Sequence, residues 1–154
     1  MKIKIKLLSE SAVVPKRATS GSAAYDVYAP ANILVHHGRN VIMLGFAIEL
    51  PVGYEAKIEP RSGYSSKGFA GFATADSATE NRYDCDVIVG KIDSDYRGDV
   101  GVIVYNRDNY PFVIKRGQRI AQLTIYRVED AEFTECEELG ETRRGGGGFG
   151  HTNI

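Results

Sequence analysis

The sequence predicts an all-β chain of jelly-roll sandwich or barrel type, on three observations. Short apolar, β-rich runs recur at close spacing, turn signals separate them, and no window sustains helical periodicity. A composition of 17 Gly, 9 Tyr and no Trp points the same way, toward turn-rich β structure. The alternation of Lys2 to Leu7 predicts a strand with one buried face. Further strands are expected at Ile33–Val35, Val41–Leu44, Ala47–Leu50, Tyr54–Ile58, Val87–Val89, Val100–Tyr105, Phe112–Ile114 and Ile120–Tyr126. Pro30, His37-Gly38, Pro51-Val52-Gly53, Arg107-Asp108-Asn109 and Arg116-Gly117 supply the turns. One helical turn is expected near Tyr64 to Lys67.

Length and charge narrow the function classes. With 154 residues the chain holds one core, placed at 1–141, followed by a flexible glycine-rich lid at 142–154. A net charge of −1 marks neither a nucleic-acid nor a membrane partner. No apolar run reaches the ~18 residues of a membrane span, and the amino terminus lacks a signal-peptide core. Cys85 and Cys136 have no metal spacing and read as reduced thiols, so a cytoplasmic or other intracellular setting is expected. From Phe69 to Asp84 the chain is polar and rich in small residues, consistent with a long surface loop.

Several segments combine residue types suited to chemistry. Gly90-Lys91-Ile92-Asp93-Ser94-Asp95-Tyr96-Arg97-Gly98 sets acids and an aromatic ring between apolar runs. If extended, it places Asp93 and Asp95 on one side and Tyr96 on the other, so a carboxylate can take a proton while a ring walls off a ligand. Pro60-Arg61-Ser62-Gly63 offers a planar donor fork, a hydroxyl and backbone N–H groups suited to phosphate oxygens. Gln122, in an amphipathic strand opened by Arg116 to Ala121, has an amide that can donate, and Asp26 stands in a turn-to-strand context. Taken singly, each motif also suits an ordinary surface turn. The tail Arg144-Gly145-Gly146-Gly147-Gly148-Phe149-Gly150-His151-Thr152 joins a cation and an aromatic through glycines that order only at an entropic cost.

Together with Ser22-Ala23-Ala24-Tyr25-Asp26-Val27, these elements occur in an order that resembles the trimeric dUTPase (deoxyuridine 5′-triphosphate nucleotidohydrolase) family. The resemblance implies a jelly roll assembled as a homotrimer with active sites at subunit interfaces. It implies dUTP hydrolysis to dUMP and pyrophosphate, limiting uracil in DNA and supplying dUMP for thymidylate synthesis. Asp93 would be the base activating water toward the α-phosphorus. Arg61, Ser62, Gly63, Gln122, Arg144, His151 and Thr152 would contact phosphates. The hairpin carrying Val87, Gly90 and Ile92 would read uracil through its main chain. Tyr96 would pack on the deoxyribose, with Phe149 and Gly150 over the base. Mg²⁺ would ride on the triphosphate with Asp26 contacting it through water, and Asp95 would pair with an arginine.

The chain departs from that pattern at Ala24 (usually Gly), Lys91 (usually aliphatic), Asn153 (usually Gly) and in the length of 69–84. The last departure frames an alternative, a regulatory protein that engages a protein partner through the 69–84 loop. Deamination of dCTP, carried out by relatives of the same fold, would need a carboxylate aimed at cytosine C4, and no motif supplies one.

Overall fold

The computed structural model describes residues 1–148. The chain forms β1 (Lys4–Leu7), β2 (Tyr25–Tyr28), β3 (Ile33–Val35), β4 (Gly38–Met43), β5 (Phe46–Glu49) and β6 (Tyr54–Glu59). The short helix α1 (Ser62–Lys67) follows, then β7 (Phe69–Phe72), β8 (Glu80–Tyr83), β9 (Cys85–Ile88) and β10 (Gly90–Ile92). The series ends with β11 (Gly101–Asn106), β12 (Phe112–Ile114) and β13 (Arg119–Arg127). Every predicted strand and the helical turn are present, and the all-β expectation holds.

The strands form a pair β1-β5 and three larger sheets, ordered β10-β6-β13-β2, β4-β11-β9 and β3-β12-β7-β8. Alternation dictates which side chains meet. In β11 the pattern buries Val102, Val104 and Asn106, while in β6 Ala56 and Ile58 turn inward. These join Phe46, Phe69, Phe112, Ile114 and Ile120 in one core. Each such apolar side chain stabilises the fold by about 1.5–3 kcal/mol through area removed from water. The inner face of β1 is half-buried: Ile3 and Ile5 pack on the core, but Leu7 stays 49% exposed.

The stretch 69–84 differs from the loop expected. It is a hairpin in which Phe69 faces Tyr83 and Phe72 faces Glu80. Phe69 and Ala70 are buried, and Tyr83 stacks on Phe112 at 4.3 Å between ring centroids. Its small-residue composition hid a core strand, because Ala70 and Gly71 sit where a larger side chain has no room. Gly68 makes the join from α1: its φ is +81°, and a Cβ there would lie 2.9 Å from the Tyr83 carbonyl oxygen. Only residues 73–79 form the exposed connection, tied back where Lys115 Nζ donates to the Ser77 carbonyl at 2.6 Å.

Candidate active site

The sheet β10-β6-β13-β2 has one apolar and one polar face. Ile58, Leu123 and Ala121 turn to the core, so Glu55, Lys57, Glu59, Gln122, Thr124 and Asp26 share the other side. The register sets Asp26 opposite Gln122, and Gln122 opposite Glu59. Arg61 and Ser62 follow directly from the end of β6. Asp26 and Gln122, distant in sequence, thus lie in one row beside the Arg61 turn.

Asp26 is only 3% exposed. Its backbone is fixed by paired bonds with Lys16, and its carboxylate accepts from two guanidinium groups. Arg61 Nε lies 3.2 Å from Oδ1 and an Arg119 terminal nitrogen 3.2 Å from Oδ2. A buried carboxylate needs such partners, because desolvation of an isolated charge is costly. Two cations on one anion leave an excess positive charge at the rim. Among the described residues the terminal nitrogens of Arg61 have no hydrogen-bond partner, although the side chain is only partly exposed. The Asp26 carboxylate thus organises two arginines, and among the described residues there is no cluster of three or more His, Cys, Asp or Glu that could hold a metal by itself.

Arg119 belongs to this corner through its contact with Asp26, and the sequence reading did not single it out. A register shift between Arg119 and Ala121 breaks the alternation of β13, letting both Arg119 and Gln122 serve the side of Asp26. Strict alternation sends two residues three apart to opposite faces. The signal available was the adjacent pair Ile120-Ala121, apolar where one polar residue should fall.

Ser62 and Gly63 are exposed at the start of α1, whose Tyr64 and Ser65 amides bond the Arg61 carbonyl. Gln122 is partly buried within the row. Lys91, opposite Lys57 across the β10–β6 ladder, is relieved by Glu55, whose carboxylate is 2.6 Å from Lys91 and 3.3 Å from Lys57. That bond to Lys91, then the one to Lys57, holds Glu55 below its ordinary titration range, and the same bond raises Lys91.

At the other end of β10 the ribbon turns earlier than expected. Ile92 is buried and Asp93 exposed, as alternation requires, but the Tyr96 amide then donates to the Asp93 carbonyl at 3.2 Å. Asp95 sits in this turn, exposed, and has no arginine partner among the described residues; Arg97 instead bonds the Ser94 and Tyr96 carbonyls. The Tyr96 hydroxyl donates to the Asp99 carbonyl at 2.9 Å, and Asp99 itself accepts from the Gly45 and Phe46 amides. Val87, Gly90 and Ile92 lie along the β9–β10 ribbon as expected. Val87 also borders a cleft of about 420 Å³ shared with Pro60, Ser65, Tyr105 and Arg107.

One chain does not bring Asp93 to the arginine corner. Ile92 pairs with Ala56, while Gly90 pairs with Ile58, so Asp93 points away from the Arg61 end of β6. At ~3.3 Å per residue, roughly 15–20 Å of strand separates them. Arg144 is exposed, with Nε donating to the Gly147 carbonyl at 2.8 Å. Phe149, Gly150, His151 and Thr152 lie outside the described residues.

Two guanidiniums gathered on a buried carboxylate, beside a hydroxyl and an amide, define an all-β protein with a donor-rich corner of the chemistry that suits oxyanions. Comparisons with known proteins give that class its family. A family model of dUTPase matches residues 10–89 and 77–153. The deoxyuridine 5′-triphosphate nucleotidohydrolase of Nautilia profundicola is 40% identical over 99% of both chains. The mitochondrial protein of that name from Dictyostelium discoideum is 38% identical over 98% of this chain and 76% of its own length. The chain belongs to the dUTPase family.

Among solved structures, the Staphylococcus bacteriophage 80alpha dUTPase with dUPNHPP superposes with a TM-score of 0.82, at 27% identity over 99% of each chain. That phage protein is described as controlling transfer of virulence genes by a proto-oncogenic G-protein-like mechanism. The D95N dUTPase of phage phi11, which coordinates a structural Mg(II) ion, matches in fold with a TM-score of 0.74, at 24% identity over 90% of this chain and 98% of its own.

Proposed function

We propose that the chain hydrolyses dUTP to dUMP and pyrophosphate, at sites completed between the copies of a homotrimer. The observation carrying this reading is the separation of Asp93 from Arg61, Ser62 and Gln122 along β6 and β10. A base and its phosphate donors must meet within hydrogen-bond reach of one substrate, so the base of one copy serves the donors of another. A second feature supports assembly. Residues 129–146 are exposed throughout, with Phe133 at 99% and Leu139 at 88%, apolar side chains suited to cover by a neighbouring copy.

In this arrangement the Asp93 carboxylate orients water and takes its proton as the oxygen attacks the α-phosphorus, with pyrophosphate leaving. Arg61, Ser62, Gly63 and Gln122 hold the triphosphate, and Arg119 adds charge through its share of Asp26. Phosphoryl transfer of this kind is mostly positioning and neutralisation, which fixed donors supply without reorganisation. The main chain around Val87, Gly90 and Ile92 reads the uracil edge, since fixed donors and acceptors reject cytosine's amino group. Tyr96, pinned through its hydroxyl, presents its ring to the deoxyribose. Arg144, Phe149, Gly150, His151 and Thr152 close over the ligand. Magnesium would arrive with the nucleotide and supply charge neutralisation of its phosphates, with Asp26 reaching it through water.

The test is pyrophosphate release from dUTP, dCTP, dTTP and UTP, with and without magnesium, joined to a mixing experiment. Asp93→Asn and Arg61→Gln chains are each expected to be inactive, and refolding them together should restore part of the activity through mixed trimers. Absence of any recovery from properly mixed trimers would place the base and the donors in the same chain.

A further inference from the structure

Tyr64 is the buried residue of α1, at 8% exposure in a helix whose other side chains are polar or absent. Its ring lies beneath the Arg61 guanidinium, with the central carbon 5.2 Å from the ring centroid, and against Phe69 at 4.4 Å. Its hydroxyl donates to the Arg119 carbonyl at 2.7 Å and accepts from Gln118 Nε2 at 3.2 Å. The same Gln118 nitrogen donates to the Ala70 carbonyl in β7 at 2.6 Å. One side chain thus touches the plane of one arginine and the main chain of the other, and a hydrogen-bond bridge ties both to the 69–84 hairpin.

We infer that Tyr64 is a positioning residue, the support that fixes the plane of the Arg61 guanidinium so that its terminal nitrogens face the triphosphate. The inference rests on the reading of Arg61 as a phosphate donor. A guanidinium is a rigid fork, and its direction is set by one in-plane bond together with the orientation of its plane. Asp26 supplies the bond, at Nε. The Tyr64 face supplies the plane, through attraction of a cation to the negative face of the ring. An aliphatic side chain at this position would fill the space but leave the plane free to rock. The fork would then have to be ordered at each binding event, weakening affinity without touching the chemical step.

The full chain tests this in dUTP hydrolysis and in inhibition by inorganic pyrophosphate, comparing Tyr64→Phe, Tyr64→Leu and Tyr64→pentafluorophenylalanine. Tyr64→Phe keeps the ring and should stay close to wild type in KM. The fluorinated ring keeps the volume but reverses the charge of the face. It and Tyr64→Leu should raise KM and weaken pyrophosphate inhibition roughly three- to thirtyfold, with kcat nearly unchanged. In an Arg61→Lys background, which should itself raise KM, neither substitution should add a further rise. A fluorinated variant that behaves like Tyr64→Phe, or a full additional rise in the Arg61→Lys background, overturns the inference. An Arg61→Lys chain of normal KM would instead sink the reading of Arg61. Should Tyr64→Leu fail to fold, the volume-conserving fluorinated ring decides alone.

Discussion

Asp26 Oδ1 and Arg61 Nε lie 3.2 Å apart, joining the Ser22–Val27 and Pro60–Gly63 motifs at a carboxylate almost closed to solvent. The contact spends the inner nitrogen of the guanidinium and leaves the outer two for a ligand. With Arg119 on the other oxygen, the carboxylate sets the spacing of two cations that would otherwise repel.

Asp26→Asn should therefore strand two arginines beside a neutral amide. Removing one partner of a buried ion pair costs about 3 kcal/mol or more. Urea unfolding should register that loss, and a raised KM for dUTP should accompany it, while kcat falls less. A variant of wild-type stability and KM would show that the arginines need no such anchor.

Asp93→Asn keeps the shape of the turn but removes the acceptor of the water proton. Pyrophosphate release should fall by roughly 10²–10⁴-fold. Binding of a non-hydrolysable dUTP analogue, followed by calorimetry, should persist near wild-type strength because the donors are untouched.

Gly98 sits under Tyr96, and a Cβ at Gly98 would land on the Tyr96 ring and hydroxyl. Gly98→Ala should displace the ring and break its bond to the Asp99 carbonyl. The expected readout is poorer rejection of UTP, seen as a narrowed ratio of kcat/KM for dUTP over UTP, by about tenfold for a misplaced packing surface.

The Glu55 carboxyl titrates below its ordinary value of 4.5, chiefly through Lys91. A group depressed in the folded chain stabilises it at pH values above the unfolded titration point. That contribution is lost as pH falls through the lower folded value. Glu55→Gln should thus lower the melting temperature at pH 7, and the difference from wild type should shrink below about pH 4.5. Parallel melting curves for the two chains down to pH 3 would contradict the assignment.

Truncation after Glu141 removes a segment that is exposed from 142 to 146. Folding and assembly should be preserved, while dUTP turnover drops by roughly a hundredfold, the scale of losing alignment over the substrate. Full turnover in the shortened chain would make the glycines a linker only.

Sequence alone determined nine of the thirteen strands, all but β2, β7, β8 and β10, together with the helical turn and the ordered motifs, because each depends on local spacing: period-two alternation in Val100 to Tyr105, turn residues at Pro51 to Gly53, acids and Tyr96 between apolar runs. It also put Asp93 and Tyr96 on one ribbon, although the turn closed by the Tyr96 amide on the Asp93 carbonyl ends the extended alternation it assumed. Tertiary structure decided what depends on registers and faces. Only the β2–β13–β6 ladder makes Asp26 a neighbour of Arg61 and Gln122, and only the irregularity in β13 turns Arg119 to the same side. The 69–84 hairpin escaped the sequence because its polar, small residues look like a loop until Phe69 and Tyr83 find Phe112. The antiparallel pairing of β10 on β6 carries Asp93 away from the arginines. No motif spacing encodes that direction, since it arises from which strand end meets which when the sheet closes.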